Sequence, residues 1–165
     1  MTRGTDEAAE IRRRSLPILK LPPPVWAFLT LIIAGAVSRS YPWRGLLDLR
    51  ITWVGIVLAT LGLAISFWAF LLFRRAGTQI NPTSETNNRL VVRGPFRITR
   101  NPMYLGLVLL TFGIAFWVGS LPMFAVPFIV FATTNWVHIP FEEAKMRRQF
   151  GAAFDNYTNQ VRRWI

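Results

Sequence analysis

A cationic loop that leads directly into an apolar segment is the first region of this sequence with residue types suited to chemistry. Residues 90–106 (LVVRGPFRITRNPMYLG) combine arginines with two prolines and two glycines. Asn101 is a favoured N-cap residue and Pro102 fits the first turn of a helix, so we expect a helix to begin here. Because a helix N-terminus and arginines both attract negative charge, the loop is predicted to bind an anionic or phosphate-like group.

Two carboxylates and the single histidine lie near the end of the last apolar run. Glu142 and Glu143 follow that run, and His138 precedes Glu142 by four residues. If the helix continues past Pro140, His138 and Glu142 share one helix face. Carboxylates beside a lipid boundary are costly and usually have a partner or a ligand. A structural alternative stays open, in which His138 bonds to backbone and the carboxylates favour a first helical turn.

The composition is that of a membrane protein. Of the 165 residues, 52% are hydrophobic and 16% are charged, and 19 lysines and arginines against 8 acidic residues give a net charge of +11. With such apolar runs, the basic charge indicates contact with anionic membrane lipids, and we expect no nucleic acid as a partner. The chain has no cysteine and one histidine. Disulfides, a thiolate nucleophile and multi-histidine metal clusters are therefore excluded, and no metal is expected.

The apolar runs predict an all-α integral membrane protein with about four transmembrane helices and a C-terminal amphipathic cytosolic helix. The first run is short for a bilayer crossing, whereas the second continues for about 23 residues without a charge. A cytosolic N-terminal tail precedes a single membrane domain. The predicted boundaries are 1–24 for the tail, 25–165 for the domain, 25–37, 51–73, 103–118 and 121–137 for the spans, and about 141–161 for the C-terminal helix.

The distribution of cations predicts the orientation in the membrane. With four spans, the two tails and the middle loop share one side, and that side holds 16 of the 19 lysines and arginines. The positive-inside rule therefore places both termini in the cytoplasm, and we expect a multi-pass protein of a bacterial inner membrane. Arg12–Arg14 could mimic a secretion signal, but Pro22–Pro24 and the further apolar segments favour a retained first span.

Several short motifs resemble, in order and spacing, the C-terminal region of the isoprenylcysteine carboxyl methyltransferase family. Phospholipid N-methyltransferases are similar in the same places. The resemblance covers about residues 70–165 and is more specific for this superfamily than for a substrate. The motifs are Arg74-Arg75-Ala76-Gly77-Thr78, Leu90-Val91, Gly94-Pro95-Phe96, Arg100-Asn101-Pro102-Met103-Tyr104-Leu105-Gly106, Glu142-Glu143, Phe150-Gly151, Tyr157 and Val161.

The resemblance implies an integral-membrane enzyme that transfers a methyl group from its cofactor, S-adenosyl-L-methionine, at the cytosolic end of the helices. It assigns catalytic roles to His138 and Arg100, and substrate contacts to His138 and Glu143. It assigns cofactor binding to a larger set of residues. These are Asn88, Arg89, Leu90, Val91, Phe96, Asn101, Pro102, Met103, Tyr104 and Glu142.

Two positions depart from the family pattern. Asn101 stands where a histidine often precedes the proline, so an amide replaces an imidazole contact with the cofactor. His138 stands where eukaryotic relatives have an arginine that faces the substrate carboxylate. Because imidazole lacks the bidentate grip of a guanidinium, the second change weakens the case for a protein carboxyl group as the acceptor.

The chemistry of methyl transfer suits this chain. Transfer from a sulfonium is an in-line displacement, so a protein has to align donor and acceptor and exclude water. No covalent nucleophile is needed, and no G-x-G-x-x-G signature indicates a soluble dinucleotide-type domain. We therefore expect a methyltransferase for a lipid-like or prenylated small molecule, such as an isoprenylcysteine-type carboxylate. The alternatives are a phosphatidylethanolamine-type phospholipid N-methyltransferase and, after it, an NADPH-dependent reductase-like or non-catalytic membrane protein.

Overall fold

The architecture is a bundle of helices, and the computed structural model describes residues 21–40, 48–76 and 90–165. Within these ranges there are no strands, and a 3₁₀ turn, Gly94–Arg97, precedes the third helix. Asn88, Arg89 and most of the predicted N-terminal tail lie outside the described residues. The α-helices are α1 (Pro23–Ser40), α2 (Thr52–Arg75), α3 (Pro102–Val118), α4 (Leu121–Thr133), α5 (Ile139–Phe150) and α6 (Ala152–Gln160).

Three helices of the described chain are long and apolar enough to cross a membrane. They are α1, α2 and the continuous helix Leu121–Phe150, which α4 and α5 form together. The shorter α3 is apolar over its 17 residues and lies between α2 and α4. Large apolar side chains, among them Phe28, Trp53 and Phe128, are exposed, as a lipid-facing surface requires. The prediction of an all-α integral membrane protein is confirmed.

Glycines bring α2 and α3 into close antiparallel contact. Gly55 and Gly62 on α2 face Gly113 and Gly106 on α3, with a spacing of seven residues on each helix. A Cβ atom on Gly55 would lie 2.7 Å from the carbonyl oxygen of Gly113, so any larger residue separates the helices. Small residues allow such an approach between membrane helices, which associate through van der Waals packing. The contact fixes the end of α2 beside the start of α3.

The first helix belongs to the other side of the bundle. α1 packs mainly against α4 rather than against α2. At one end of this pair the Ser120 hydroxyl donates to the Ser38 hydroxyl oxygen over 2.8 Å. The start of α1, at Pro22–Pro24, lies at the opposite end, where it borders a cavity.

The fourth span continues further than predicted. The sequence pattern predicted an end at residue 137 and a separate helix from about residue 141, but one helix runs from Leu121 to Phe150. A π turn, Thr134–His138, ends two residues before Pro140. Its wider hydrogen-bonding pattern accommodates a proline that has no N–H to donate within a helix.

The helix predicted over residues 141–161 is instead two helices. Gly151 has a φ of +50° and separates α5 from α6. Glycine adopts this backbone region without the steric cost that other residues incur, so it is a natural end for α5. The break turns α6 back toward the loop before α3, where Tyr157 meets Phe96.

Candidate active site

A cavity of about 550 Å³ lies at the end of the bundle where α2 ends and α3 begins. Its walls are the second half of α2, residues 90–101, the first half of α3, α5 and α6, with Pro22–Pro24 at one edge. This volume is within the range of small-molecule sites, roughly 300–1,000 Å³. Most of the lining is apolar. Its polar side chains are Ser66, Arg100, Asn101, Tyr104, Glu142, Glu143, Lys145 and Tyr157.

The cavity brings together most of the residues that the sequence analysis assigned to a site. Ten of them line it: Leu90, Val91, Phe96, Arg100, Asn101, Pro102, Met103, Tyr104, Glu142 and Glu143. They come from the loop, from the first turn of α3 and from α5, which are far apart in sequence. His138 is not among the lining residues, and Asn88 and Arg89 lie outside the described part of the chain.

A hydrogen bond between Tyr104 and Glu142 joins two walls of the cavity. The Tyr104 hydroxyl, in the first turn of α3, donates to Oε1 of Glu142, in the first turn of α5. On the other side of α3, the Ser66 hydroxyl donates to the Met103 carbonyl oxygen over 3.3 Å. The start of α3 is therefore held by side chains from both neighbouring walls. Glu142 presents a carboxylate to a mostly apolar cavity, where a cation is its natural partner.

The second carboxylate, Glu143, is neutralised inside the protein. Arg100 Nη2 donates to its Oε1 over 2.9 Å, and Arg163 Nη2 donates to its Oε2 over 2.7 Å. The side chains of Arg100 and Glu143 are 14% and 15% exposed. At such burial the pairing with guanidinium groups offsets the loss of hydration of the carboxylate. Because its charge is matched in this way, Glu143 serves as a link between the loop and α5.

Arg100 has further partners in the last turn of α6 and directly after it. Its Nη1 donates to the carbonyl oxygens of Thr158 and Val161, over 2.9 and 3.0 Å. The predicted catalytic arginine is thus mostly engaged by the protein itself, and only its buried Nε lacks a partner among the described residues.

Asn101 occupies the N-cap position of α3 but does not cap it, which corrects the expectation from the sequence. Its side chain makes no capping bond, and its Nδ2 donates to the Arg163 carbonyl oxygen over 3.0 Å. The Thr99 hydroxyl donates to that same oxygen over 3.0 Å. Since no side chain caps the first turn of α3, its N-terminus keeps its partial positive charge beside the cavity.

His138 lies behind the cavity wall. It is 1% exposed, and its ring centroid is 6.4 Å from that of Tyr104. Neither ring nitrogen has a partner among the described residues. The helix does continue past Pro140, so His138 and Glu142 belong to one helix as expected. The structure nevertheless places Tyr104, and not His138, next to the cavity, so a contact between His138 and an acceptor stays a prediction.

Tyr157, Lys145 and Arg163 contribute to the site, although the sequence did not assign them to it. Tyr157, noted only as a motif position, donates from its hydroxyl to the Phe96 carbonyl oxygen over 2.7 Å. Burial raises the pKa of the Tyr157 hydroxyl to about 12, so it stays protonated and keeps this bond at any ordinary pH. Lys145 lines the cavity, and its position three residues after Glu142, on the same side of the helix, could have indicated this. Nothing in the sequence indicated the role of Arg163, because its partner Glu143 is 20 residues away.

Comparisons with known proteins identify the family. The sequence pattern of the phospholipid methyltransferase family matches residues 51–153, which is more than half of the chain. The matched segment contains α2, the loop, α3, α4, α5 and the start of α6, and so most of the cavity wall. No curated protein and no solved structure matches the chain. The chain therefore belongs to the phospholipid methyltransferase family, whose members share the integral-membrane methyltransferase superfamily with the isoprenylcysteine carboxyl methyltransferases.

Proposed function

We propose that this protein is an S-adenosyl-L-methionine-dependent methyltransferase that acts on a lipid-like acceptor at one face of the membrane. The observation that carries the proposal is one cavity with two unlike parts. A polar part contains Glu142, Arg100 and the uncapped start of α3. An apolar part is formed by α2 and the first half of α3. The family adds membrane methyl transfer as the reaction class.

The residues of the polar part fit the cofactor. Its amino-acid end carries an ammonium and a carboxylate, which need an anion and hydrogen-bond donors. Glu142 is the anion, and the free N–H groups at the start of α3 are donors that favour negative charge. The rings of Phe73 and Phe96 are in edge-to-face contact, with their centroids 5.1 Å apart, and offer an apolar surface for the flat purine base of the cofactor. Bound there, S-adenosyl-L-methionine supplies an electrophilic methyl group on a sulfonium.

The chain itself has to align donor and acceptor and keep water away. The bond from Tyr104 to Glu142 and the ion pairs of Glu143 hold the walls of the cavity in fixed positions. Pre-set positions lower the entropy that must be lost when both reactants are brought together. The apolar lining excludes water from the reacting atoms. Alignment of the reactants and exclusion of water are what an in-line methyl transfer requires from the protein.

The charges that line the cavity bear on two possible head groups of the acceptor. A carboxylate acceptor of the isoprenylcysteine type needs a cation, and Arg100 and Lys145 both line the wall. An amine acceptor, as in phospholipid N-methylation, must lose a proton, which requires a base other than Glu142 when that carboxylate holds the cofactor ammonium. The expectation from the sequence is the carboxylate, and the amine is its alternative. A panel of acceptors with one type of apolar chain and different head groups distinguishes them.

The orientation is also part of the proposal. Arginines at the end of α2 and in the loop lie at the cavity end of the bundle, as do those of α5. By the positive-inside rule this end faces the cytoplasm, and with it both termini. The proposed membrane is a bacterial inner membrane. Protease protection of a tag after residue 165 in sealed inverted and right-side-out vesicles measures the side directly.

The deciding experiment compares ligands on the purified protein. We expect calorimetry to detect binding of S-adenosylhomocysteine and no binding of NADPH, which the reductase-like alternative requires. Incubation with radiolabelled S-adenosyl-L-methionine and a whole lipid extract should then transfer label to an organic-soluble product. Binding of NADPH alone, or no binding of either ligand, would overturn the proposal in favour of a reductase or a non-catalytic protein.

A further inference from the structure

The segment after α6, residues 161–164, is called the strap here, and it packs against lining residues of the cavity without lining the cavity itself. Val161 has extended backbone angles, φ −123° and ψ 131°. The Arg100 N–H donates to the Arg162 carbonyl oxygen over 3.0 Å, and the Arg163 carbonyl oxygen accepts from Thr99 and Asn101. The strap therefore runs alongside the last residues of the loop, directly before α3.

Two side chains anchor the strap to other elements. Arg163 approaches Glu143 with two nitrogens, Nη2 to Oε2 at 2.7 Å and Nε to Oε1 at 3.3 Å. Trp164 Nε1 donates to Asn135 Oδ1 over 3.0 Å, and the Trp164 ring lies 4.8 Å from that of Phe131. One short segment thus connects the loop with α5 and with the end of α4. A fork-shaped guanidinium contact of this kind fixes direction as well as distance.

We propose that the strap positions the polar part of the cavity, with Arg163 as the positioning residue for the cofactor-binding wall. Glu143 lies next to Glu142 in the chain, so the grip of Arg163 on Glu143 also fixes where the Glu142 carboxylate points. The same strap holds Thr99 and Asn101, which immediately precede the first turn of α3. Arg163 itself does not line the cavity. It acts through the two walls that a ligand touches.

The effect expected of a positioning residue is on affinity. Without the Arg163 side chain, Glu143 still has Arg100, and the Arg163 carbonyl oxygen still accepts from Thr99 and Asn101, so the bundle stays folded. What is lost is the link between α5 and the strap, so these walls are no longer held in one fixed arrangement. Binding a ligand then requires these walls to be ordered at the same time, and that cost weakens the affinity. A residue with a merely structural role lowers instead the fraction of protein that is folded, with unchanged affinity in the molecules that remain.

Calorimetric titration with S-adenosylhomocysteine separates these two effects, because it reports the dissociation constant and the number of sites independently. For Arg163→Met we expect a dissociation constant raised about tenfold with the number of sites unchanged. Arg163→Lys keeps the charge without the fork and should lie between Arg163→Met and the unaltered protein. The matched control is Arg162→Met, which removes a cation from the exposed neighbouring position of the strap and should leave the affinity unchanged.

A second variant tests the route through Glu143. In a Glu143→Gln background the Arg163→Met change should add little, because both act through one contact. Equal dissociation constants for Arg163→Met and the unaltered protein, whatever the number of sites, overturn the inference. So does a full tenfold effect in the Glu143→Gln background. The inference rests on the proposed function: if the unaltered protein does not bind S-adenosylhomocysteine, both fall, whereas the other outcomes leave the proposed function standing.

Discussion

Midway along α2 and near the start of α3, Gly62 and Gly106 bring two backbones together and leave no room for a side chain. From the next residues onward, beginning with Leu63 and Ser66, α2 lines a cavity of about 550 Å³. The two regions share the same helices but are held in different ways. The glycine contact depends on backbone surfaces that already face each other. The cavity depends on side chains that come from the loop, from α5 and from the strap.

This difference predicts how each region responds to mutation. Close-packed backbone has no means to absorb an added atom, so changes at the glycines should affect folding. The polar contacts around the cavity each link two elements that other contacts also hold. Glu143, for example, has two arginine partners. Changes there should affect ligand binding first and stability second.

The largest effect is expected from Gly62→Ala. The added Cβ meets the backbone carbonyl of Gly106 and the Leu110 N–H region, so α2 and α3 must separate. We expect a loss of about 3 kcal/mol in the free energy of unfolding, the upper end for overpacking. Thermal unfolding in detergent measures it. Gly35→Ala is the matched control, because nothing lies within 4 Å of a Cβ at Gly35. A similar melting temperature for both variants would contradict the close contact.

Glu142→Gln should have the largest effect on binding with the fold intact. The amide keeps the size of the side chain but removes the negative charge that the cavity offers to an ammonium. Hydrogen bonds to charged groups contribute about 1.5–3 kcal/mol, so the dissociation constant of S-adenosylhomocysteine should rise about 10- to 100-fold. Asp155→Asn, an exposed carboxylate in α6, is the control and should bind normally. Unchanged affinity of Glu142→Gln would remove Glu142 from the site.

Tyr104→Phe sharpens the same comparison with a smaller change. The variant keeps the ring in the cavity wall but loses the hydroxyl that donates to Glu142. The charge remains, while its orientation is less fixed, so we expect a rise of about fivefold in the dissociation constant, or roughly 1 kcal/mol. The same titration measures it, with the thermal midpoint as a check on folding. An effect as large as that of Glu142→Gln would mean that Tyr104 itself contacts the ligand.

The two regions also differ in how far the sequence predicts them. Apolar runs predicted the helices, because these depend on local pattern, whereas the resemblance to a family assigned Tyr104 and Glu142 to one site. The seven-residue spacing of Gly55 and Gly62 was present in the sequence as well, and it was overlooked. Membrane helices need small residues where they touch, so this spacing was an available signal.

Long-range polar contacts had no comparable signal. Asn101 has the residue type and position of an N-cap, yet its amide donates to the Arg163 carbonyl oxygen 62 residues away. A tertiary partner displaced the local one, which residue preferences alone do not reveal. The same is true of the break at Gly151, since a glycine within a helical pattern is compatible with both continuation and an end. The fold follows from periodicity, whereas the site depends on which distant segments meet.

The smallest effect is expected at the corner between α5 and α6, from Arg147→Met. Arg147 Nε donates to Asp155 Oδ1 over 2.8 Å, but the two side chains are 56% and 51% exposed. Exposed ion pairs contribute about 0–1 kcal/mol because water and salt screen them. The melting temperature should therefore change little, and less in high salt than in low salt. Arg147 also lies over the ring of Phe154, which lines the cavity, so S-adenosylhomocysteine titration belongs beside the melting curve. A clear loss of affinity without a loss of stability would extend the ligand-binding region to this corner and show that α6 contributes to binding.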